Sequence, residues 1–172
     1  ATVEATVDRL NADLLDIRQI LNGANYNVVQ QFDISSREFS EQFSLLYETN
    51  SDKIQSVALY DQKGNLIASE PVAAEKKNVR VQTQEWFKNA EDVIENIHFS
   101  TPHIQELFED GSYRYQWVVS LSRYVDVNKG EIPETGILLL DMKYSVIRDV
   151  MKQINDCSGG IYYYLISQDG EM

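Results

Sequence analysis

The most constraining feature of this chain is a seam of apolar residues at its start. Val3, Val7, Leu10, Leu14, Ile17, Leu21, Ala24 and Val28 alternate spacings of four and three, while Asp8, Asp13, Asp16, Arg18 and Gln19 fall off the seam. That spacing predicts one long helix with a single apolar stripe, because residues three and four apart share a helical face. Such a stripe must be buried somewhere. It can lie along its own domain's core, or pair with the same helix of a second subunit as a signalling helix continuing from a membrane span.

Periodicity then changes along the chain. Ser35 with Glu38 has capping-box spacing, and Phe39, Phe43 and Leu46 follow on one helical face. After Asn50 the alternation becomes strand-like over 54–60, a tight turn is predicted at 61–65, and a returning strand at 66–69. Residues 71–81 read as loop, and Trp86, Ala90, Val93 and Ile94 mark a short helix. Two aromatic and β-branched strands are predicted at 113–125 and 136–142, joined by a connection over 128–135. A helix over 144–154 and a further strand at 161–167 complete the order. Antiparallel strands joined by turns, with the helices set apart, define an α+β fold: a long N-terminal helix plus a PAS-like antiparallel sheet flanked by helices.

Residues 59–66 and 165–172 both read as a strand entering a turn with a Gln and a Gly. The echo predicts a second module of the same type, although turns use few residue types and resemble one another for that reason. The expected organisation is therefore a signalling helix and second helix over 1–50, a PAS-like module over 51–156, and the first strand and turn of a truncated second module over 157–172. On this expectation the chain is an excised piece of something longer.

Charge excludes some functions. The formal net charge is −12, and the longest basic run is Lys76-Lys77. Nucleic-acid binding rests on clustered Lys and Arg opposite phosphates, so it is not expected. One cysteine, Cys157, rules out an intramolecular disulfide and a multi-cysteine zinc site. His98 and His103, the only histidines, lack metal-ligand spacing. No phosphate loop, nucleophile elbow or Cys–His pairing is present, so neither a catalytic residue nor a cofactor or metal is expected. No stretch approaches the roughly 20 apolar residues of a membrane span, and no signal peptide is visible.

The order Val57-Ala58-Leu59-Tyr60-Asp61-Gln62-Lys63-Gly64-Asn65-Leu66, Glu85-Trp86-Phe87, Phe99-Ser100-Thr101-Pro102-His103, Val119-Ser120-Leu121-Ser122-Arg123 and Gly136-Ile137-Leu138-Leu139-Leu140-Asp141 resembles the double-Cache extracellular domains of YesM-type bacterial sensor histidine kinases. The resemblance implies a receptor anchored by two flanking membrane spans, with this part on the extracellular face and a kinase core inside. It also implies that the membrane-distal module binds a small molecule. In the amino-acid-binding branch, an Arg two residues before a Trp grips the ligand carboxylate, an aromatic follows the Trp, and a distant Asp closes the last strand. Trp86, Phe87 and Asp141 match those places, but Gln84 stands where the Arg belongs. A neutral amide cannot form the bidentate charge-assisted pair of a guanidinium, which argues against the usual grip on an α-carboxylate.

The candidate ligand-binding set is thus Gln84, Trp86, Phe87, Tyr115, Trp117, Arg123 and Asp141. Asp141 would meet a ligand ammonium or hydroxyl, or else serve as a structural partner for Arg123 or for backbone N–H groups. Trp86 would offer an apolar wall or a cation–π face, or else pack in the core. Arg123 would bind an anionic group or cap a surface. Tyr113, Tyr115 and Trp117 share one strand face, which a pocket, a dimer contact or a plain core would each explain. The ligand classes in view are amines, amino-acid derivatives, carboxylates and sugars. The expected function is extracytoplasmic sensing for a two-component histidine kinase, with a homodimer through the first helix. The alternatives are the ectodomain of a methyl-accepting chemoreceptor, or a ligand-free dimerisation scaffold.

Overall fold

The computed structural model describes residues 3–93, 97–109 and 116–157. Its order is α1 (Val3–Gly23), continued by wider π-helical turns over Ala24–Val29, then α2 (Arg37–Thr49), β1 (Ile54–Asp61), β2 (Leu66–Glu70), α3 (Glu85–Asp92), β3 (His98–Phe99), β4 (His103–Ile104), β5 (Trp117–Lys129), β6 (Ile132–Lys143) and α4 (Tyr144–Cys157). The strands form one antiparallel sheet in the order β2-β1-β6-β5-β3, with β4 also pairing to β5. The α+β expectation holds. The strand expected at 161–167 and its echoing turn lie outside the described residues, as do Tyr113 and Tyr115.

The seam of α1 is used within the chain. Leu10, Ile17, Leu21, Ala24 and Val28 are buried in one cluster with Val57 and Leu59 of β1, Val119 and Leu121 of β5, and Leu138 and Leu140 of β6. Val7, nearer the start, is 40% exposed, so the seam is covered only where the sheet lies beneath it. Asp8, Asp16, Arg18 and Gln19, off the seam, stay exposed, and Lys53 ties the loop before β1 to Asp16 at 3.0 Å.

The cap of α2 sits one residue later than its spacing predicts. Ser36, not Ser35, is the N-cap, accepting from Phe39 N at 3.1 Å. Asp33 captures Ser35 instead, its Oδ1 accepting from both the Ser35 amide at 2.8 Å and the Ser35 hydroxyl at 2.6 Å. Among acidic and hydroxyl residues this close together, the local Asx turn takes the first donor and leaves the next serine to cap.

The β1–β2 turn matches its prediction. Asp61 Oδ1 accepts from the amides of Lys63 at 2.9 Å and Asn65 at 2.8 Å, and Gly64 takes the positive φ of 83° that the turn needs. The β5–β6 connection is shorter than predicted. The strands continue past 128–135 as a hairpin pairing Asn128 with Pro133 and Lys129 with Ile132, around Gly130 at φ 73°. Pro133 is tolerated there because β1 pairs with β6 only as far as Gly136, leaving the outer part of β6 unpaired on that side.

Strand alternation gives the sheet two distinct faces. One carries Val57, Leu59, Val119, Leu121, Leu138 and Leu140 beneath α1. The other carries Ala58 and Tyr60 of β1 with Ile137 and Leu139 of β6, beneath Trp86, Phe87 and Ala90 of α3 and Leu107 and Phe108 of the loop after β4. That loop is held by the buried Gln105 side chain, whose oxygen accepts from the Leu107 and Phe108 amides at 3.0 and 3.1 Å. Among the described residues, no helix is long and apolar enough to cross a membrane.

Candidate functional site

The α3 face of the sheet brings three polar side chains together by register alone. Ser56 of β1 and Ser120 of β5 are the cross-strand partners of Asp141 on β6. A bulge between Ile54 and Ser56 lets Ile54 join the α1 side while Ser56 faces Asp141. Ser120 Oγ and Asp141 Oδ1 are hydrogen-bonded at 2.6 Å, and Ser56 faces the carboxyl from the other neighbouring strand. His103 approaches from β4, its Nε2 3.2 Å from Ser120 Oγ and its Nδ1 2.9 Å from the Thr101 carbonyl oxygen.

Asp141 is 3% exposed. Burial pushes its carboxyl above the ordinary carboxylate range, against the opposing pull of the Ser120 hydroxyl, His103 and the Ser56 hydroxyl. Tyr60 is fully buried on the same face, and its hydroxyl has no hydrogen-bond partner among the described residues. Burial, with the negative charges of Glu75 and Asp141, pushes that phenol far above its usual range. A buried hydroxyl left without a partner costs about 1–3 kcal/mol, which a bound polar group would recover.

Trp86 and Phe87 sit over this face from the first turn of α3. The Trp86 ring is 5.4 Å from that of Tyr60 and 5.7 Å from that of Phe87. The Ser122 hydroxyl anchors α3 by donating to the Trp86 carbonyl at 2.7 Å. A shallow open cleft of about 10 Å³ touches the indole from outside, lined by Glu85, Trp86, Asn89, His98, Phe99 and Ser100, so in this closed arrangement it has room for a water-sized group only. Asp141 does not line that cleft. It sits inside a strand that runs on to Lys143, so it forms a covered floor rather than the open lip its place after an apolar run suggests.

The structure therefore divides the candidate set. Trp86, Phe87 and Asp141 share one face, and Gln84, half-buried, precedes them as the N-cap of α3 without making a side-chain cap. Trp117 and Arg123 carry the opposite strand parity and lie on the α1 side with Val119 and Leu121. Trp117 is 51% exposed and packs near Tyr144 of α4, with ring centroids 6.1 Å apart. Arg123 donates to Asn22 Oδ1 at 2.6 Å and to the Tyr26 hydroxyl at 2.7 Å, clamping the junction between α1 and its π-helical turns. It pairs neither with a site anion nor with Asp141. Tyr115 lies outside the described residues. The residues missed by sequence reasoning are Ser56, Tyr60, His103 and Ser120. Strand parity around Asp141 is the signal that finds the serines, but only once the register is known.

This assignment separates stability from binding. Replacing Arg123 with alanine is expected to lower stability by about 1–2 kcal/mol through loss of its two hydrogen bonds. It should leave stabilisation by any ligand of the Asp141 face unchanged, which thermal unfolding with and without ligand would measure.

The architecture is the α+β, PAS/Cache-like fold found in ligand-binding domains of bacterial chemoreceptors. It is similar to the ligand-binding domain of the Pseudomonas aeruginosa amino-acid chemoreceptor PctC in complex with GABA (TM-score 0.63, 15% identity, 89% of this chain and 62% of that one). It is likewise similar to that of P. aeruginosa PctB with L-Gln (0.64, 16%, 97% and 62%) and of Pseudomonas fluorescens CtaA with L-serine (0.64, 20%, 97% and 66%). The chain thus spans just under two thirds of each of these structures, and at such identities the likeness is one of fold. No family model matches the chain, and no curated protein matches it.

Proposed function

We propose that this chain is the extracytoplasmic sensing module of a transmembrane receptor, binding a small amine-bearing molecule between α3 and the sheet. The observation that carries the reading is Asp141, a buried carboxyl bonded to Ser120, which His103 contacts in turn, on the sheet face that carries Trp86 and a phenol without a partner among the described residues. A ligand ammonium would supply the charge partner that a buried carboxylate needs, and Trp86 and Tyr60 would supply aromatic surface around it. The similar chemoreceptor domains are complexes with GABA, L-Gln and L-serine, which supports an amine-bearing ligand here. Gln84 in place of an arginine favours an amine over a free α-amino acid. Entry to Asp141 requires α3 or the loop after β4 to part from the sheet.

The resemblance to YesM-type receptors favours a histidine kinase as the output. The likeness to chemoreceptor domains favours a methyl-accepting output equally, and the sequence encoded downstream distinguishes the two. A homodimer through α1 belongs to the same proposal. Because the sheet covers most of the seam, that contact would use off-seam residues such as Leu15, which is 54% exposed.

Thermal-shift screening against amines, amino acids, organic acids and sugars tests the reading, repeated on Asp141→Asn and Trp86→Phe proteins. A primary amine is expected to stabilise the parent and to lose most of its effect in Asp141→Asn. A hit that stabilises both variants as strongly as the parent would contradict the site.

A further inference from the structure

Hydrogen-bond accounting around Asp141 leads further than the identity of the site. His103 Nδ1 lies 2.9 Å from the Thr101 carbonyl oxygen and 3.2 Å from Ser100 Oγ. The carbonyl can only accept, and the Ser100 hydroxyl donates to that same carbonyl at 2.9 Å, so Nδ1 carries a hydrogen and donates. The other ring nitrogen, Nε2, faces Ser120 Oγ, and Ser120 has a single hydroxyl hydrogen to share between Nε2 at 3.2 Å and Asp141 Oδ1 at 2.6 Å. Two arrangements satisfy the contacts along the line from Asp141 through Ser120 to His103 with the same number of protons. In one, Asp141 is a carboxylic acid donating to Ser120 Oγ, and Ser120 donates to the bare Nε2 of a neutral His103. In the other, Nε2–H donates to Ser120 Oγ and Ser120 donates to an ionised Asp141. Removing one proton from either leaves Oγ between two acceptors with one hydrogen.

We propose that His103 is a positioning residue for the ligand-binding carboxyl, exchanging one proton with Asp141 through Ser120 so that the site ionises on meeting an ammonium. This rests on the reading that Asp141 receives the ligand. With the site empty, the neutral arrangement avoids a buried ion pair among apolar residues. When a cationic amine docks, the Asp141 O–H bond breaks as its proton passes to Ser120 Oγ. The Ser120 hydroxyl proton passes in turn to His103 Nε2, and the carboxylate pairs with the ligand. No proton enters or leaves the protein. The phenol of Tyr60 on β1, which feels the charge of Asp141, contributes no positive charge, so among the described residues His103 is the base placed to take the proton. The arrangement selects for cations: a neutral ligand provides nothing to hold the charge-separated form.

With only two histidines in the chain, ring-nitrogen NMR reads the exchange directly. In protein labelled with ¹⁵N-histidine and carrying His98→Gln, free His103 is expected to show a protonated Nδ1 and a bare Nε2. Saturating n-butylamine should convert both to protonated nitrogens in this background, and should fail to do so when Ser120→Ala or Asp141→Asn is added. The amide introduced by Asp141→Asn can donate to Ser120 as the acid does, so that variant keeps the neutral arrangement without disrupting the fold. If n-butylamine stabilises the parent through Asp141 but His103 Nε2 stays bare, the site stands and the relay is overturned. If n-butylamine does not bind at all, both are overturned.

Discussion

Replacing Asp141 with asparagine is expected to make the free protein more stable at neutral pH while weakening an amine ligand on the order of 100-fold, about 3 kcal/mol. The two effects share one cause. Burial raises the folded-state carboxyl above its ordinary range, so the native protein holds a proton that the unfolded chain releases. For a group shifted this way, stability is highest below the unfolded carboxylate range and falls as pH rises from there through the folded value. Asparagine keeps a donor for Ser120 Oγ and has no proton to lose, so this contribution to the pH dependence disappears. The stability gap between variant and parent should therefore widen with pH across that window and stay level above it. Denaturant unfolding at several pH values measures the gap, and calorimetry with the amine measures the binding loss. A variant less stable than the parent at neutral pH would mean that Asp141 is a structural anchor rather than a group held ready for a ligand.

The largest expected loss of stability comes from a residue with no polar role. Gly136 opens the very apolar stretch of β6 and lies opposite Asp61 of β1 and Val125 of β5. A Cβ at this position would run into the backbone carbonyl oxygen of Tyr60 and press on the Val127 side chain. Backbone cannot step aside as a flexible side chain can, so Gly136→Ala forces the β1–β6 pair apart. A cost of about 3 kcal/mol is expected, at the upper end for overpacking. Because the clash falls on the carbonyl of Tyr60, it should also disturb the phenol and weaken amine binding. Gly130→Ala makes a useful comparison: its Cβ would meet only the Asp33 side chain at ordinary distance, and its cost would come from the positive φ alone.

These two residues illustrate what was legible in the chain. The strand, turn and strand from 54 to 70 and the helical seam are local signals, set by neighbours a few residues apart, and both are present in the structure. Trp86 and Asp141 could be paired through family resemblance, and they do share a face. Of the two roles open to Arg123, anion binding or a structural cap, parity decides the neighbours: Ser122 reaches α3 while Arg123 reaches α1. The same parity puts Trp117 on the α1 side, beside Tyr144. Ser56 and His103 were invisible for a different reason. Each meets Asp141 or its partner through long-range pairing, Ser56 through a bulge and His103 through the two-residue strand β4, and neither leaves a periodic trace. Ser35 does not cap because its amide and hydroxyl are turned back onto Asp33, which leaves the Ser36 oxygen to accept from Phe39.

The two tryptophans of this chain lie on opposite faces of the sheet, which allows the site to be located with a single probe. In a Trp117→Phe protein the only indole belongs to Trp86, and intermolecular NOEs from the tightest-binding amine to that ring are the expected result. NOEs absent there, but present to the indole of Trp117 in a Trp86→Phe protein, would place the ligand on the α1 side and contradict the account.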